Sequence, residues 1–600
     1  MRAVSREIFL KGRAAPAFPV EGAVLSTRAE GPRRIFLLLM LLLPVAFLLP
    51  GTSSTVLASP RLGVRGQQLV MGETPVYLFG QGDWLMAVRS GRSFEDEADW
   101  YAPFGANLIR VTAINTILPD EVVPHNPWLR LPDGRFDLTR YDGEYWARLR
   151  DFVQRNEERG RFVLLQIFDE VGLESGPNRW SNHPFHPARN INGLGLPSTN
   201  AVPEFYDLSR TAVLEVQERY FDRLLFETAG FGNVLYEICN EYTGPTSWLD
   251  RWLDRFTAAE RITGRNFVVT NMSCGGALLN HELAHPAIDV LDLWHAPTSL
   301  RFASLPEIRD RFLQYVGTKP LLCGRIGPEP DLTDSSSADR DRARTIFWTI
   351  FFSGGVGATT KEDGDFQRVV FGPPLYADDT VWEEHLGAFH SILESAGFPL
   401  GLAPAPEIIV SAPASFALGL LAPSRVAMVY LESSGGSPGG GLVLEGLPHG
   451  DLEVGIYDPA TGHLLESRRR AVRDGTLDLP VPAFARDLVV LLRTSPLSVH
   501  MHLPGFQRRA PFTVEIVVRG TRDLHLPTDE AFLRGGLTLN GIPVDRIGRF
   551  HRSERVRSGR SEVTFRAEGM SAPPGYYALR ARLEYGDQVR TSVARIRISP

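Results

Sequence analysis

From about residue 65 to 400 the chain alternates short apolar runs with longer stretches whose apolar residues return every three or four positions. The runs suit strands buried on both faces, and the stretches suit helices that pack by one side. Eight strands are expected: Val76–Phe79, Asn107–Thr112, Phe162–Phe168, Val234–Cys239, Phe267–Thr270, Val290–Trp294, Pro320–Cys323 and Val356–Thr359. Helices are expected between them, Tyr145–Arg159 and Val213–Thr228 among them. Such alternation specifies βα units on a parallel sheet, and eight units close as a (β/α)8 barrel. The longest connection, 169–203, follows the third strand, and loops of that length in a compact domain are usually functional.

After Leu402 the texture changes to short β-rich runs with Gly/Pro turns: ASFALGLL, RVAMVYLE, GLVLEGL, LEVGIYDPATGHLLESR and DLVVLLR. A β-sandwich is expected over 403–495. A second all-β, Ig-like unit is expected over 496–600, from TVEIVVRG and YYALRARLEYGDQVRTSVARIRI. The Gly-rich stretch Ser433–Gly441 reads as a hairpin loop; no helix and no Gly-Lys-Ser/Thr follow to make it a phosphate loop.

At the other end, Arg33 and Arg34 precede the apolar run Ile35–Leu49, and GTSSTVLASP follows. A charged start, a short apolar core and a small-residue exit describe an export signal. The run falls short of the ~20 residues of a confident membrane span. It serves either as a cleaved signal or as an anchor that holds the chain to a membrane through residues 35–49. Either way the barrel, 60–402, and both β-domains are expected outside the cytoplasm, secreted, periplasmic or at the cell surface, with 1–59 as tail and export segment.

Composition narrows the classes. Hydrophobic residues make up 43% and charged residues 22%, which excludes a disordered chain. A net charge of -7 and a pI of about 6.1 oppose nucleic-acid binding. Cys239, Cys274 and Cys323 are too few for a disulfide framework and suit buried thiols. Lysine occurs only at Lys11, Lys319 and Lys361 in an arginine-biased chain, so a lysine at a strand end gains weight as a candidate.

In such a barrel the site forms where strands end. Those ends supply Asp83 and Trp84, Arg110, Asp169 and Glu170, Asn240 and Glu241, Asn271, His295, Arg325, then Lys361, Glu362 and Asp363. Polar residues commonly follow strands, so chance competes with function for each one. The sharpest element is VLYEICNEY. Glycoside hydrolysis needs a carboxylic acid with a raised pKa beside the scissile oxygen, which Glu241 could be; Asn240 could bond the sugar 2-hydroxyl. Glu237, inside the same run, suits a buried partner for Arg110. In the long loop, Trp180, His183, Phe185 and His186 could line a sugar-binding wall or serve as ordinary packing. Residues 281–285, HELAH, match a zinc motif, but Pro286 follows at once, so a metalloprotease is the weaker rival. No metal and no cofactor is implied.

The barrel resembles the clan A, cellulase-like glycoside hydrolases, with Arg110 in NLIRVT, Asn240-Glu241 and His295 in LDLWHAP as matching residues. YLFGQGDW and IYDPATGHLLES resemble an apiosidase-like subgroup whose C-terminal sandwich carries a collagen-binding label; the label names a fold and says nothing of collagen. The resemblance covers about 65–495. It implies a carbohydrate partner, O-glycosyl hydrolysis, Glu241 as acid/base and a nucleophile after strand seven. There the chain departs: in KPLLCGRIGPEP, Arg325 stands where the nucleophile belongs, and a guanidinium stays protonated. Three outcomes stay open. Glu329, Glu362 or Asp363 serves as nucleophile; the mechanism is inverting, with Asp169 or Glu170 as base; or the barrel only binds sugar. Arg325 would suit a uronate carboxylate.

Overall fold

The structure, a computed structural model, describes residues 60–82, 105–114, 125–175, 179–295, 300, 303–326, 337–361, 381–396, 401–422, 426–494 and the strands of the last domain. The segment 35–49, Asp83, Trp84, Glu329, Glu362 and Asp363 lie outside them, as does the side chain of Lys361. Among the described residues no helix is long and apolar enough to cross a membrane.

Eight parallel strands form the first domain: β1 Leu78–Gly82, β2 Leu108–Thr112, β3 Phe162–Asp169, β4 Val234–Asn240, β5 Val268–Thr270, β6 Leu291–Asp292, β7 Leu321–Ile326 and β8 Gly355–Lys361. Pairing runs from β5 back through β1, then on through β8 and β7 to β6. Asp289 N and Val290 N both donate to Val269 O, at 2.9 and 3.2 Å, and bring β5 and β6 together. The result is a (β/α)8 barrel followed by all-β domains. The strands fall near where the apolar runs place them, with one shift and one shortening: Val76 ends an antiparallel strand, Thr74–Val76, and the first barrel strand begins only at Leu78. Only two residues of Val290–Trp294 stay in the ladder, because the Asp292 carboxylate takes the Trp294 N–H at 2.9 Å and turns the chain out.

Side chains alternate across each strand, so every second residue points into the barrel. At its lower end these are apolar: Leu78, Leu108, Leu164, Leu235, Leu322 and Val356 form one buried cluster. Leu62 and Leu69 join it from an antiparallel ribbon, Leu62–Arg65 and Gln68–Met71, that packs against the floor. Two residues further along the strands the set turns polar, with Arg110, Gln166, Glu237 and Asp292. The same periodicity thus builds a greasy floor and a charged layer under the mouth.

Helices cover the outside: α1 Gly143–Glu158, α2 Thr211–Thr228, α3 Thr246–Thr263, α4 Gly276–Ala284, α5 Leu305–Tyr315, α6 Ser337–Phe352 and α7 Val381–Ala396. Asp142 starts α1 by accepting from Glu144 N and Tyr145 N, which satisfies donors the helix cannot. Gly264, in the left-handed region at φ 66°, ends α3.

Behind the barrel, a six-stranded antiparallel sheet built around Val426–Glu432 and Asp487–Arg493 faces a three-stranded one. Its seam with the barrel is sealed. Arg344 on α6 donates to both oxygens of Asp487, at 3.0 and 2.8 Å, and Tyr430 Oη donates to the same carboxylate at 3.1 Å. Trp348 stacks on Tyr430. Gly462 lies so close to α7 that a Cβ there would meet Ala388 Cα at 2.9 Å. The last domain pairs its strands in two further sheets, and Arg580 reaches Glu394 on α7 at 3.0 and 3.1 Å.

Candidate active site

The site grows out of β4. Every residue of Val234–Asn240 is buried, and the chain must then turn sharply so that Tyr242 N can reach Met272 O beyond β5, at 2.8 Å. Glu241 makes that turn with φ 51°, in the left-handed region. For a residue with a Cβ that costs of order 1–3 kcal/mol, and such strain collects at functional positions.

Below it lies a closed network. Arg110 on β2 donates to Glu237 from Nε at 2.9 Å and from Nη2 at 2.6 Å, a two-point contact. Nη2 also reaches Asn240 Oδ1 at 2.8 Å, and Asn240 Nδ2 donates to Asp169 Oδ1 at 2.9 Å. Two opposite charges placed in buried strands must meet, because an unpaired one would carry an uncompensated desolvation cost. Glu237 is therefore the partner of Arg110, as its position in the run implies. The network fixes the amide of Asn240 and, through it, the start of the Glu241 turn.

Above it the mouth is organised by Arg325. β7 carries an irregularity between Cys323 and Ile326, and such bulges re-aim side chains. Gly324 is required there: a Cβ would meet Asp292 Oδ2 at 2.1 Å, whereas its N–H now donates to that oxygen at 3.0 Å. Arg325 Nη1 donates to Glu241 Oε1 at 2.5 Å. His295 Nε2 lies 3.5 Å from the same oxygen, at the outer limit of a hydrogen bond. Burial alone would push the Glu241 carboxyl up. The His295 contact and the charges of Arg325 and Arg110 outweigh it and hold the group down to about 2. Glu241 is thus a carboxylate at neutral pH. That corrects the expectation of a raised pKa: a proton donor works best with a pKa near the operating pH, and the guanidinium on β7 moves Glu241 the other way.

The neighbouring carboxylates differ. Asp292 is enclosed, and burial pushes it up to about 7 against the hydrogen bonds from Trp294 N and Gly324 N. Burial also raises Glu170, which accepts from Thr243 N at 2.8 Å and from Tyr206 Oη at 2.9 Å. Asp169 is buried and held by Asn240.

Of the residues expected in the site, Arg110, Asp169, Asn240, Glu241, His295 and Arg325 are brought into one linked cluster. Lys361 ends β8. Trp180 is not a surface wall. Its ring is 1% exposed, packed beside His183 and His186, and its N–H donates to Pro197 O at 2.9 Å. Such a covered face cannot stack on a sugar. His183, held down to about 3 by burial and by His186, completes this aromatic core with Phe185 and Phe205.

HELAH also resolves into packing. Glu282 is buried and accepts from Asn271 Nδ2 at 2.7 Å and from Ser273 Oγ at 3.2 Å. His281 meets Asp250 at 2.6 Å. His285 Nδ1 accepts from Ala287 N at 3.2 Å, which leaves its Nε2 as the donor nitrogen. Among the described residues no group of three His, Cys, Asp or Glu could hold a metal. Sequence reasoning missed Asp292, although a lone acid at an inward position of the apolar run LDLW is a usable signal. It also missed Tyr206, which bonds Glu170 and lies 3.6 Å from Cys239 Sγ; nothing in the sequence marks it.

Comparisons with known proteins agree on architecture. A family described as a domain of unknown function, DUF6298, matches residues 127–302. No curated protein matches the chain. A protein assigned as a glycoside hydrolase, from Bacteroides vulgatus ATCC 8482, is 13% identical, covers 74% of this chain and 84% of its own, and superposes with a TM-score of 0.51. A glycoside hydrolase family 5 protein from the same strain is 14% identical over 72% of this chain and 93% of its own, with a TM-score of 0.48. Another glycoside hydrolase is 15% identical over 73% of this chain and 97% of its own, with a TM-score of 0.49. At 13% identity the likeness to the structure with a TM-score of 0.51 is one of fold alone: a barrel with β-domains behind it.

Proposed function

We propose that the barrel mouth is a carbohydrate site of the glycosidase type that grips a saccharide without hydrolysing it through Glu241 as proton donor. The observation that carries this reading is the Arg325–Glu241 contact. Hydrolysis with retention needs an acid that is protonated when substrate binds and a second carboxylate to attack the anomeric carbon. Here a fixed cation stands at the strand end that the resemblance gives to the nucleophile, and it keeps the acid ionised. A positive group at that place also opposes an oxocarbenium-like transition state, whose charge has the same sign. What remains suits binding: a carboxylate a quarter exposed, an imidazole and a guanidinium, all hydrogen-bonding groups matched to sugar hydroxyls.

Hydrolysis is the second reading. It is favoured by the Arg110–Glu237–Asn240 network, which still holds the Asn-Glu pair as a hydrolase would need it. The barrel's placement among apiosidase-like proteins rests on YLFGQGDW and on the attached sandwich. Action outside the cytoplasm rests on Arg33, Arg34 and the run 35–49.

The test uses the full chain and Glu241→Gln on a broad panel of oligosaccharides and polysaccharides, following both binding and sugar release. The first reading expects binding to some members and no release by either protein. Release by the wild type that vanishes in Glu241→Gln would replace it with the second. No binding anywhere would remove both.

A further inference from the structure

We infer that Arg325 and His295 form an anion subsite, and that the saccharide the mouth takes is an acidic one, a glycan carrying uronic-acid residues. The inference rests on the carbohydrate reading above and names its substrate class.

Three features of the mouth support it. First, a guanidinium on β7 bonds one oxygen, and an imidazole just beyond β6 lies near it without a hydrogen bond of its own. Arg325 Nη1 and His295 Nε2 both address Glu241 Oε1, at 2.5 and 3.5 Å. The position is built for a carboxylate oxygen, and an incoming carboxylate is chemically the same occupant. Second, the contact can be exchanged. It is a single-point contact between side chains 11% and 26% exposed, whereas the Arg110–Glu237 pair is two-pointed and 4% and 0% exposed. A ligand carboxylate that displaces Glu241 takes over the Arg325 charge, and Glu241, a quarter exposed, can turn toward solvent, which neither member of the Arg110–Glu237 pair can do. Third, among the described residues, three other carboxylates beside the mouth are already engaged. Glu237 is taken by Arg110, Asp169 by Asn240, and Asp292 by the backbone N–H groups of Trp294 and Gly324. Among the described residues, Arg325 and His295 are the groups that face the Glu241 carboxylate from across the mouth.

The chemistry distinguishes ligand classes. A guanidinium beside a neutral pyranose offers only hydrogen bonds that water makes as well. Beside a uronate it gains a charge-assisted contact, roughly twice as strong as a neutral one.

The test uses matched probes: uronic-acid oligosaccharides of several backbones, each beside the same oligosaccharide with its carboxylates reduced to alcohols. Linkage and ring stereochemistry are then shared, and only the charge differs. Calorimetric titration of the full chain should show at least one uronate bound about tenfold or more tightly than its reduced partner, a difference of about 1.4 kcal/mol. In Arg325→Gln that ratio should fall to about one, and Arg325→Lys should restore part of it, because a charge returns without the planar fork. Thermal unfolding of each variant separates a lost preference from a lost fold. Equal or tighter binding of the reduced partners by the wild type would overturn the acidic class and leave the carbohydrate reading standing. A ratio unchanged in Arg325→Gln would overturn the role of Arg325. Binding of neither kind would overturn the carbohydrate reading and this inference with it.

Discussion

Three arginine–carboxylate pairs in this molecule look alike in sequence and differ in kind. Arg110–Glu237 under the mouth and Arg344–Asp487 at the domain seam are two-pointed and sealed, with side-chain exposures of 4% and 0%, and 4% and 3%. Each recruits a further polar group, Asn240 in one case and Tyr430 in the other. Arg325–Glu241 touches at one point and keeps a quarter of the Glu241 side chain in solvent. A sealed pair is scaffold, because breaking it strands a charge in a medium that cannot solvate it. A half-open pair can be broken by water or ligand, so it is where recognition can act. The difference teaches that an ion pair's role follows from its enclosure more than from its distance.

That comparison can be broken from its strongest side first. Arg344→Met should strand Asp487 at the seam and cost about 3–5 kcal/mol by denaturant unfolding. A loss under about 3 kcal/mol would place the seam pair with the mouth pair. Trp180→Ala should cost about 3–5 kcal/mol as a core truncation. Retained stability with weakened saccharide binding would instead return Trp180 to a sugar-binding wall.

A third prediction concerns pH. Burial pushes Glu282 up to about 8 in the folded chain, against hydrogen bonds from Asn271 and Ser273. The folded state therefore binds a proton that the unfolded state has released above its ordinary value of ~4.3. The stability linked to this group is fully present below that value and is lost as pH rises through about 8. Melting temperature should fall across that window, and Glu282→Gln should flatten the fall; an identical slope in the variant would contradict the burial argument. The smallest effect belongs to the mouth. Arg325→Met should cost about 1–3 kcal/mol, less than at the seam, because Glu241 loses its cation but keeps a quarter of its side chain in solvent. A loss as large as that at the seam would mean the pair is structural.

Much of this was legible in the sequence, for physical reasons. β2, β3 and β4 are continuous apolar runs, and burial on both faces leaves no other pattern open to them. Arg110 and Glu237 could be paired in advance because each lies inside such a run. The loop around Trp180 misled because prolines, histidines and asparagine read as surface. Its histidines are instead spent on its own backbone: His183 Nδ1 accepts from Phe185 N and His186 Nδ1 from Ala188 N, both at 3.1 Å. That closure turns the aromatic rings inward. The ionisation of Glu241 was out of reach for a different reason. Its local setting, a strand end with burial, argues for a raised pKa. The groups that reverse the sign, His295 and then Arg325, lie far along the chain and arrive only when the barrel closes.

The most direct test is the protonation state of Glu241 itself. Infrared difference spectra of the full chain minus Glu241→Gln, collected from about pH 3 to 8, isolate that one carboxyl. The account predicts an ionised carboxylate band throughout, with protonation beginning only toward about 2, and an upward move of the transition in Arg325→Met. A protonated carboxyl band that persists to neutral pH in the wild type would contradict it, and would return Glu241 to the role of proton donor.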